Sequence, residues 1–251
     1  MLMEPTIEKL KSMQLRGMAA GLLRQSQDPD TQALSFEERL GLLVDEEWTQ
    51  RRNRALARLL REAKLKLPAC PEDLDYTPAR GLDRALMRSL VGCGFVSEHQ
   101  NVLVTGATGT GKTYVACALG NASCRQGLRT RYFRLGTLLR ELTVSKGDGT
   151  YPGLMARLAK TELLILDDYG LAPLSTPEAR DLLEVIDERV LARSTVVASQ
   201  LPLEHWHGAI TDPTLADAIL DRLIHHAHKI HLKGESMRKK KPPTPPPAPG
   251  V

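Results

Sequence analysis

Cysteine is scarce in this chain, with four residues in 251: Cys70, Cys93, Cys117 and Cys124. They form no CxxC pair and have no partner histidines at metal-ligand spacing, which excludes a disulfide-stapled secreted scaffold and a zinc ribbon. Reduced, partly buried thiols are expected. No apolar run is long enough to span a bilayer, and the first residues, MLMEP, lack a basic head followed by an apolar stretch. A cytoplasmic protein with no membrane partner is therefore expected. Charge of one sign is also lacking, since a net +4 permits contact with an anionic polymer without demanding it. What the length does supply is one sizeable core with residues left for a small second unit.

Apolar residues recur at helical steps through the first quarter: Leu15, Met18, Leu22; then Phe36, Leu40, Leu43, Val44; then Leu56, Leu59, Leu60, Ala63. Each set makes one stripe, so residues 1–66 read as a small all-helical domain. Ser35 followed by Glu38 is a capping-box pattern that starts a helix at Phe36, and Asp28-Pro29-Asp30 breaks the chain before it. The stretch LPACP at 67–71 marks a linker.

Beyond it, short β-rich runs alternate with helical segments, the pattern of an α/β domain on a parallel sheet. Five strands are expected: Val102–Val104, Thr130–Leu135, Leu163–Leu166, Thr195–Ala198 and Lys229–Leu232. Between the third and fourth, Thr176 can cap a helix with Pro177 in its first turn and Leu182, Leu183, Ile186 and Val190 on one face. Another helical stretch is expected from Leu215 to His228. This domain is expected to run over 67–238, and the basic, proline-rich 239–251 to form a disordered tail.

The strongest chemical signal is Gly106-Ala107-Thr108-Gly109-Thr110-Gly111-Lys112-Thr113, which fits GxxxxGK[ST] between a strand and a helix. Glycines let backbone amides and a helix N-terminus wrap an anion, Lys112 reaches the β- and γ-phosphates of ATP, and the Thr113 hydroxyl helps hold Mg²⁺. Downstream, LLILDD at 163–168 ends an apolar strand in two carboxylates, like a Walker B motif. Asp167 is expected to coordinate Mg²⁺ and Asp168 to orient and polarise the attacking water. Two aspartates could instead merely begin a surface turn; the upstream phosphate loop favours the functional role.

Gln200 emerges at the end of the fourth strand, where an amide can position water, with a plain strand-ending polar residue as the competing reading. Arg222 has two open readings. It can reach a neighbouring subunit's nucleotide and stabilise charge on the transferring phosphoryl group, or it can pair within the chain with Asp221 or Asp217. The cluster His225, His226, His228 and His231 lacks Cys or carboxylates at ligand spacing and reads as surface or packing histidines.

These residues together resemble the IstB family of insertion-sequence transposition helpers, which is similar to DnaC-type helicase loaders within the AAA+ class. The resemblance rests on GATGTGKT, LLILDDYG, the SQLPLEHW stretch at 199–206, the AILDRLIHHAH stretch at 218–228, and KGESMR ending at Arg238, with a matching helical extension at 35–65. It implies an AAA+ core without a full C-terminal lid and ATP-dependent homo-oligomers. It also implies binding to double-stranded DNA and engagement of a partner transposase. Relatives more often carry Asn where Gln200 stands and Glu where Asp168 stands.

The segment from Trp48 to Lys66 carries Arg51, Arg52, Arg54, Arg58, Arg61, Lys64 and Lys66 against a single Glu62. Such a run is ordinarily a solvated face; here the five arginines are also candidates for contact with DNA phosphates or an acidic partner. The expected function is thus an ATP-hydrolysing, DNA-binding transposition helper. A replicative helicase loader and a barely hydrolysing ATP-binding scaffold are the alternatives.

Overall fold

The computed structural model describes residues 3–237, so the tail expected at 239–251 lies outside the described residues. The chain forms two compact units, one up to Arg58 and one from Leu59 onward.

The first unit is helical: α1 (Met3–Ser12), α2 (Arg16–Gln27), the short α3 (Pro29–Gln32), and α4 (Phe36–Ala63), within which the division falls. The capping box at the start of α4 is formed. The Ser35 N–H donates to Glu38 Oε2 at 2.9 Å and the Glu38 N–H donates to Ser35 Oγ at 3.3 Å. Helix α2 has no cap from its own N-cap residue Leu15. Its first amides are met instead by Glu47 of α4, which accepts from Gly17 N at 2.6 Å and Met18 N at 3.2 Å. The fully buried residues of α2 are Gly17, Ala19, Gly21 and Gln25, while the stripe Leu15, Met18 and Leu22 is half-buried. Small residues let helix backbones approach closely, and helical periodicity alone cannot show that. In α4, Phe36, Leu40, Val44 and Trp48 are exposed at successive four-residue steps.

After the last turn of α4, the second unit continues with α5 (Arg84–Val91) and α6 (Gly94–Ser97). Then follow β1 (Asn101–Gly106), α7 (Lys112–Arg125), β2 (Thr130–Arg134), α8 (Leu135–Asp148), α9 (Tyr151–Lys160), β3 (Leu163–Tyr169), α10 (Thr176–Asp187), β4 (Ser194–Ser199), α11 (Pro213–Ile224) and β5 (Ala227–Leu232). The five strands form one parallel sheet in the order β2-β3-β4-β1-β5. Both faces of the central strands β1, β3 and β4 are covered, so these read as apolar runs and alternate residues enter opposite cores. Val102, Val104, Leu163 and Ile165 pack with α5 and α7, whereas Leu103, Leu164 and Leu166 pack with α8, α10 and α11.

All five expected strands are present, and four local details differ from expectation, the first being that Leu135 begins α8 instead of ending β2. Helix α10 is capped by Ser175, in a capping box with Glu178, rather than by Thr176. Val190 lies beyond the end of α10 and is 39% exposed, so it is not part of the buried face. Helix α11 ends at Ile224, and His228 belongs to β5 because pairing of Ala227 and His228 with Asn101 and Val102 of β1 overrides local helical propensity.

Candidate nucleotide site

Parallel topology brings the C-terminal ends of β1, β3 and β4 side by side, with Thr105 opposite Ser199 and Tyr169 opposite the same serine. The loop leaving β1 is the glycine-rich motif. Gly106, Gly109 and Gly111 have φ of 146°, 84° and 95°, conformations that side-chain-bearing residues rarely adopt, and Gly111 is the N-cap of α7. The loop closes on itself through Thr110, whose hydroxyl donates to the Ala107 carbonyl at 2.8 Å. Lys112, 8% exposed, donates from Nζ to that same carbonyl at 2.8 Å. Its ammonium therefore sits at the mouth of the loop, where the first-turn amides of α7 lack intrahelical acceptors, the arrangement that suits an anion.

Asp167 is 2% exposed. Its Oδ2 accepts from the Thr113 hydroxyl at 2.8 Å and from the Tyr132 hydroxyl at 2.6 Å, while Oδ1 accepts the Asp168 N–H at 3.0 Å. Burial, then the bond to Asp167, pushes the Tyr132 phenol well above its usual range, so it stays a donor. The β3·β4 ladder slips between Leu166 and Tyr169, so the two aspartates sit at an irregularity, and Asp168 has φ of 62°. That backbone turns Asp168 out of the strand, and its carboxylate lies 3.5 Å from Arg134 Nε at the end of β2. Gln200 follows β4, and its Oε1 accepts the Thr108 hydroxyl at 2.7 Å. The structure thus gathers the phosphate loop, Lys112, Thr113, Asp167, Asp168 and Gln200 at one sheet edge.

Four further residues join this site that the sequence reading does not assign to it. Tyr132 and Arg134 lie on β2, hydrogen-bonded in register beside β3, with Arg134 opposite Asp167. The Arg80 guanidinium donates to the Thr110 carbonyl, and its Nη1 lies 3.6 Å from Asp75 Oδ2. Lys66 Nζ lies 3.7 Å from Asp167 Oδ2. Strand adjacency was the only sequence signal for the first pair; for Arg80 and Lys66 there was none, because loop paths are not periodic.

A family model described as IstB-like ATP binding protein matches residues 8–243. The chain belongs to that IstB-like family. The insertion sequence ATP-binding protein y4pL of Sinorhizobium fredii is 46% identical over 239 residues, covering 95% of this chain and 98% of that protein. The ATP-binding protein of insertion sequence IS21 from Pseudomonas aeruginosa is 32% identical over 238 residues, covering 95% and 89%. Among solved structures, the DnaC helicase loader superposes with a TM-score of 0.57 at 18% identity, covering 68% of this chain and 100% of that chain. AMPPCP-bound DnaA from Aquifex aeolicus gives 0.57 at 16% identity, covering 70% and 54%. These likenesses identify the AAA+ fold.

In this IstB-like chain Arg222 is not beside the phosphate loop. The Asn101 side chain at the start of β1 donates to the Arg222 carbonyl at 3.1 Å, and the loop leaves β1 at the other end, about 16 Å away along five residue steps. The guanidinium pairs with Asp187 of α10 rather than with Asp221 or Asp217, and donates to the Ala218 carbonyl at 2.8 Å. Of the histidines, His228 meets Gln100 at 2.6 Å and His231 meets Thr105 at 3.0 Å. The SQLPLEHW stretch seats a fully buried Trp206 against Tyr169, ring centroids 4.4 Å apart. From KGESMR, the Met237 N–H donates to the Gly109 carbonyl at 2.9 Å, and Arg238 lies outside the described residues. Arg51, Arg52, Arg54, Arg58 and Arg61 are all exposed on α4. Arg51 pairs with Glu47 at 2.7 Å, Arg54 bonds Gln50 at 2.6 Å and Arg52 stacks on Trp48 at 4.5 Å. No helix among the described residues is long and apolar enough to cross a membrane.

Proposed function

We propose that the chain hydrolyses ATP to ADP and phosphate as a cytoplasmic transposition helper that assembles into homo-oligomers on double-stranded DNA and recruits or activates the transposase of its own element. The observation that carries the enzymatic half is the Thr113–Asp167 hydrogen bond at 2.8 Å, which sets a hydroxyl and a buried carboxylate against each other beside the phosphate loop. Two hard oxygen donors at that spot fit Mg²⁺. When bound there, Mg²⁺ neutralises charge on the β- and γ-phosphate oxygens.

The chain's own residues supply the rest. Lys112 exchanges the Ala107 carbonyl for phosphate oxygens, and the loop amides with the N-terminus of α7 hold the phosphates. Asp168 orients a water and draws its proton while the water oxygen bonds to the γ-phosphorus and the bond to the bridging oxygen breaks, releasing ADP. Gln200, held by Thr108, keeps that water in line. Arg222 acts on a neighbour's nucleotide.

The nucleic-acid half is supported by the arginine run on α4 and by relatives named as insertion sequence ATP-binding proteins. On this reading residues 1–66 engage DNA or the partner and residues 67–238 form the ATPase domain. The likeness to a helicase loader lies at 18% identity, where it speaks to fold alone, so transposition is favoured over helicase loading.

Turnover of the full chain with and without duplex DNA tests this function. ATP hydrolysis is expected, stimulated by DNA, with affinity for DNA falling steeply as salt rises. Lys112→Ala should lose roughly 100-fold in nucleotide-dependent turnover. Undiminished hydrolysis in that variant overturns the site, and DNA affinity indifferent to salt overturns the DNA half.

A further inference from the structure

Asp167 has a cation beside it, Lys66, that a metal-binding carboxylate does not require. Besides the hydroxyls of Thr113 and Tyr132, its Oδ2 faces Lys66 Nζ at 3.7 Å, close enough for Coulombic attraction and too far for a hydrogen bond. The carboxylate is 2% exposed and the lysine side chain 31%, so the charge is buried on one side and wet on the other.

The approach is built in by the chain path. Helix α4 ends at Ala63, buried to 0%, and Lys64 turns the chain with φ of 51°. The Arg131 guanidinium of β2 donates to the Glu62 carbonyl at 2.8 Å, fixing the last turn of α4 over the edge of the sheet. Leu65 and Leu67 on either side of Lys66 pack into the core beneath β1, β3 and α7, and the Cys117 thiol of α7 meets the backbone at Leu67 and Lys66. Alternation then leaves the Lys66 side chain directed at Asp167.

We infer that Lys66 is a built-in counter-cation for Asp167, a positioning residue that competes with the divalent ion for this carboxylate and thereby sets how much metal the site requires. A buried carboxylate is costly without a cation nearby. The lysine supplies one charge while nucleotide is absent, and its four-carbon stem, open to water, allows the ammonium to withdraw when a divalent ion takes its place. The residue is part of neither the phosphate loop nor the Walker B strand, and it lies three residues past α4. The inference rests on the proposed ATP and Mg²⁺ site.

The test measures metal affinity directly, with Mn²⁺ as a spin probe titrated by electron paramagnetic resonance into full-length chain saturated with AMPPNP. Lys66→Met keeps the apolar stem and removes the charge. It should tighten Mn²⁺ binding by roughly fivefold, the effect of one unit charge near 4 Å in a water-like dielectric. Lys66→Arg should restore wild-type affinity. A loss of packing can weaken a metal site but not tighten it, so the direction separates a charge effect from structural damage. Fluorescent ATP binding in EDTA serves as the control, and the wild type and both variants are expected to bind alike within about twofold. Mn²⁺ affinity unchanged or weakened in Lys66→Met overturns the inference while leaving the ATP site intact; a wild-type chain that binds no nucleotide overturns the ATP reading itself.

Discussion

Thr108 of the phosphate loop donates its hydroxyl to Gln200 at 2.7 Å, tying the loop between β1 and α7 to the end of β4. The amide is therefore held at the point where the γ-phosphate and its attacking water are proposed to meet. Gln200→Ala should leave nucleotide affinity within about threefold and lower single-turnover hydrolysis roughly tenfold or more. Thr108→Val, which removes the tether but keeps the amide, should fall between that variant and the wild type. Hydrolysis at the wild-type rate in Gln200→Ala would mean that this residue only ends a strand.

Asp168 needs a substitution that its backbone tolerates. With φ of 62°, it occupies the left-handed region, where Asn is among the residues that fit best. Asp168→Asn therefore changes the chemistry and not the path of the chain. Nucleotide binding should persist while hydrolysis drops roughly 100-fold, because the amide cannot accept a proton. Lost nucleotide binding in Asp168→Asn, together with normal hydrolysis in Asp167→Asn, would reverse the two assigned roles.

Much of this site was legible in the sequence because its chemistry is local. GATGTGKT fixes a strand, a loop and a helix start within eight residues, and LLILDD fixes a strand end, so neither depends on a distant partner. The three central strands β1, β3 and β4 are buried on both faces and announce themselves as apolar runs, whereas the edge strands β2 and β5 show only alternation and spacing. Long-range relationships were not legible. Nothing in the pattern around Lys66 indicates that the turn after α4 carries it to Asp167, a hundred positions downstream. Asp187 is likewise invisible as the partner of Arg222, since the pairing depends on how α10 packs beside α11. In the first unit the apolar stripes were visible, but which of them would be covered was not: Phe36 is 74% exposed although its spacing suits a core.

Glu47 makes the first unit testable by itself. It is 6% exposed, accepts two α2 amides and pairs with an exposed Arg51. Capping and ion pairing predict different outcomes. Glu47→Ala should lower stability by about 1–2 kcal/mol through the lost cap, whereas Arg51→Gln, which removes only a surface partner, should cost less than about 0.5 kcal/mol. Urea unfolding of the full chain followed by circular dichroism separates them. Equal losses would make the ion pair, and not the cap, the stabilising contact.

Arg222 stands at the opposite end of β1 from the phosphate loop of its own chain, paired with Asp187. About 16 Å of strand separates the two, more than an arginine side chain spans, so any action on nucleotide must fall on a neighbouring copy. The transferring phosphoryl group gathers charge that a guanidinium can stabilise. Arg222→Ala is accordingly expected to bind ATP almost normally and to hydrolyse it roughly 100-fold more slowly. Asp187→Asn should do far less, since it releases the guanidinium without removing it. The stricter demand comes from mixing Arg222→Ala with Lys112→Ala chains, each of which is expected to turn over only slowly alone. Some of the mixed interfaces then join an intact phosphate loop from the first variant to an intact arginine from the second, and hydrolysis should partly return. If mixed oligomers form, as followed by energy transfer between labelled variants, and turnover stays at the level of either variant alone, then Arg222 serves only its contact with Asp187 and the packing of α10 on α11.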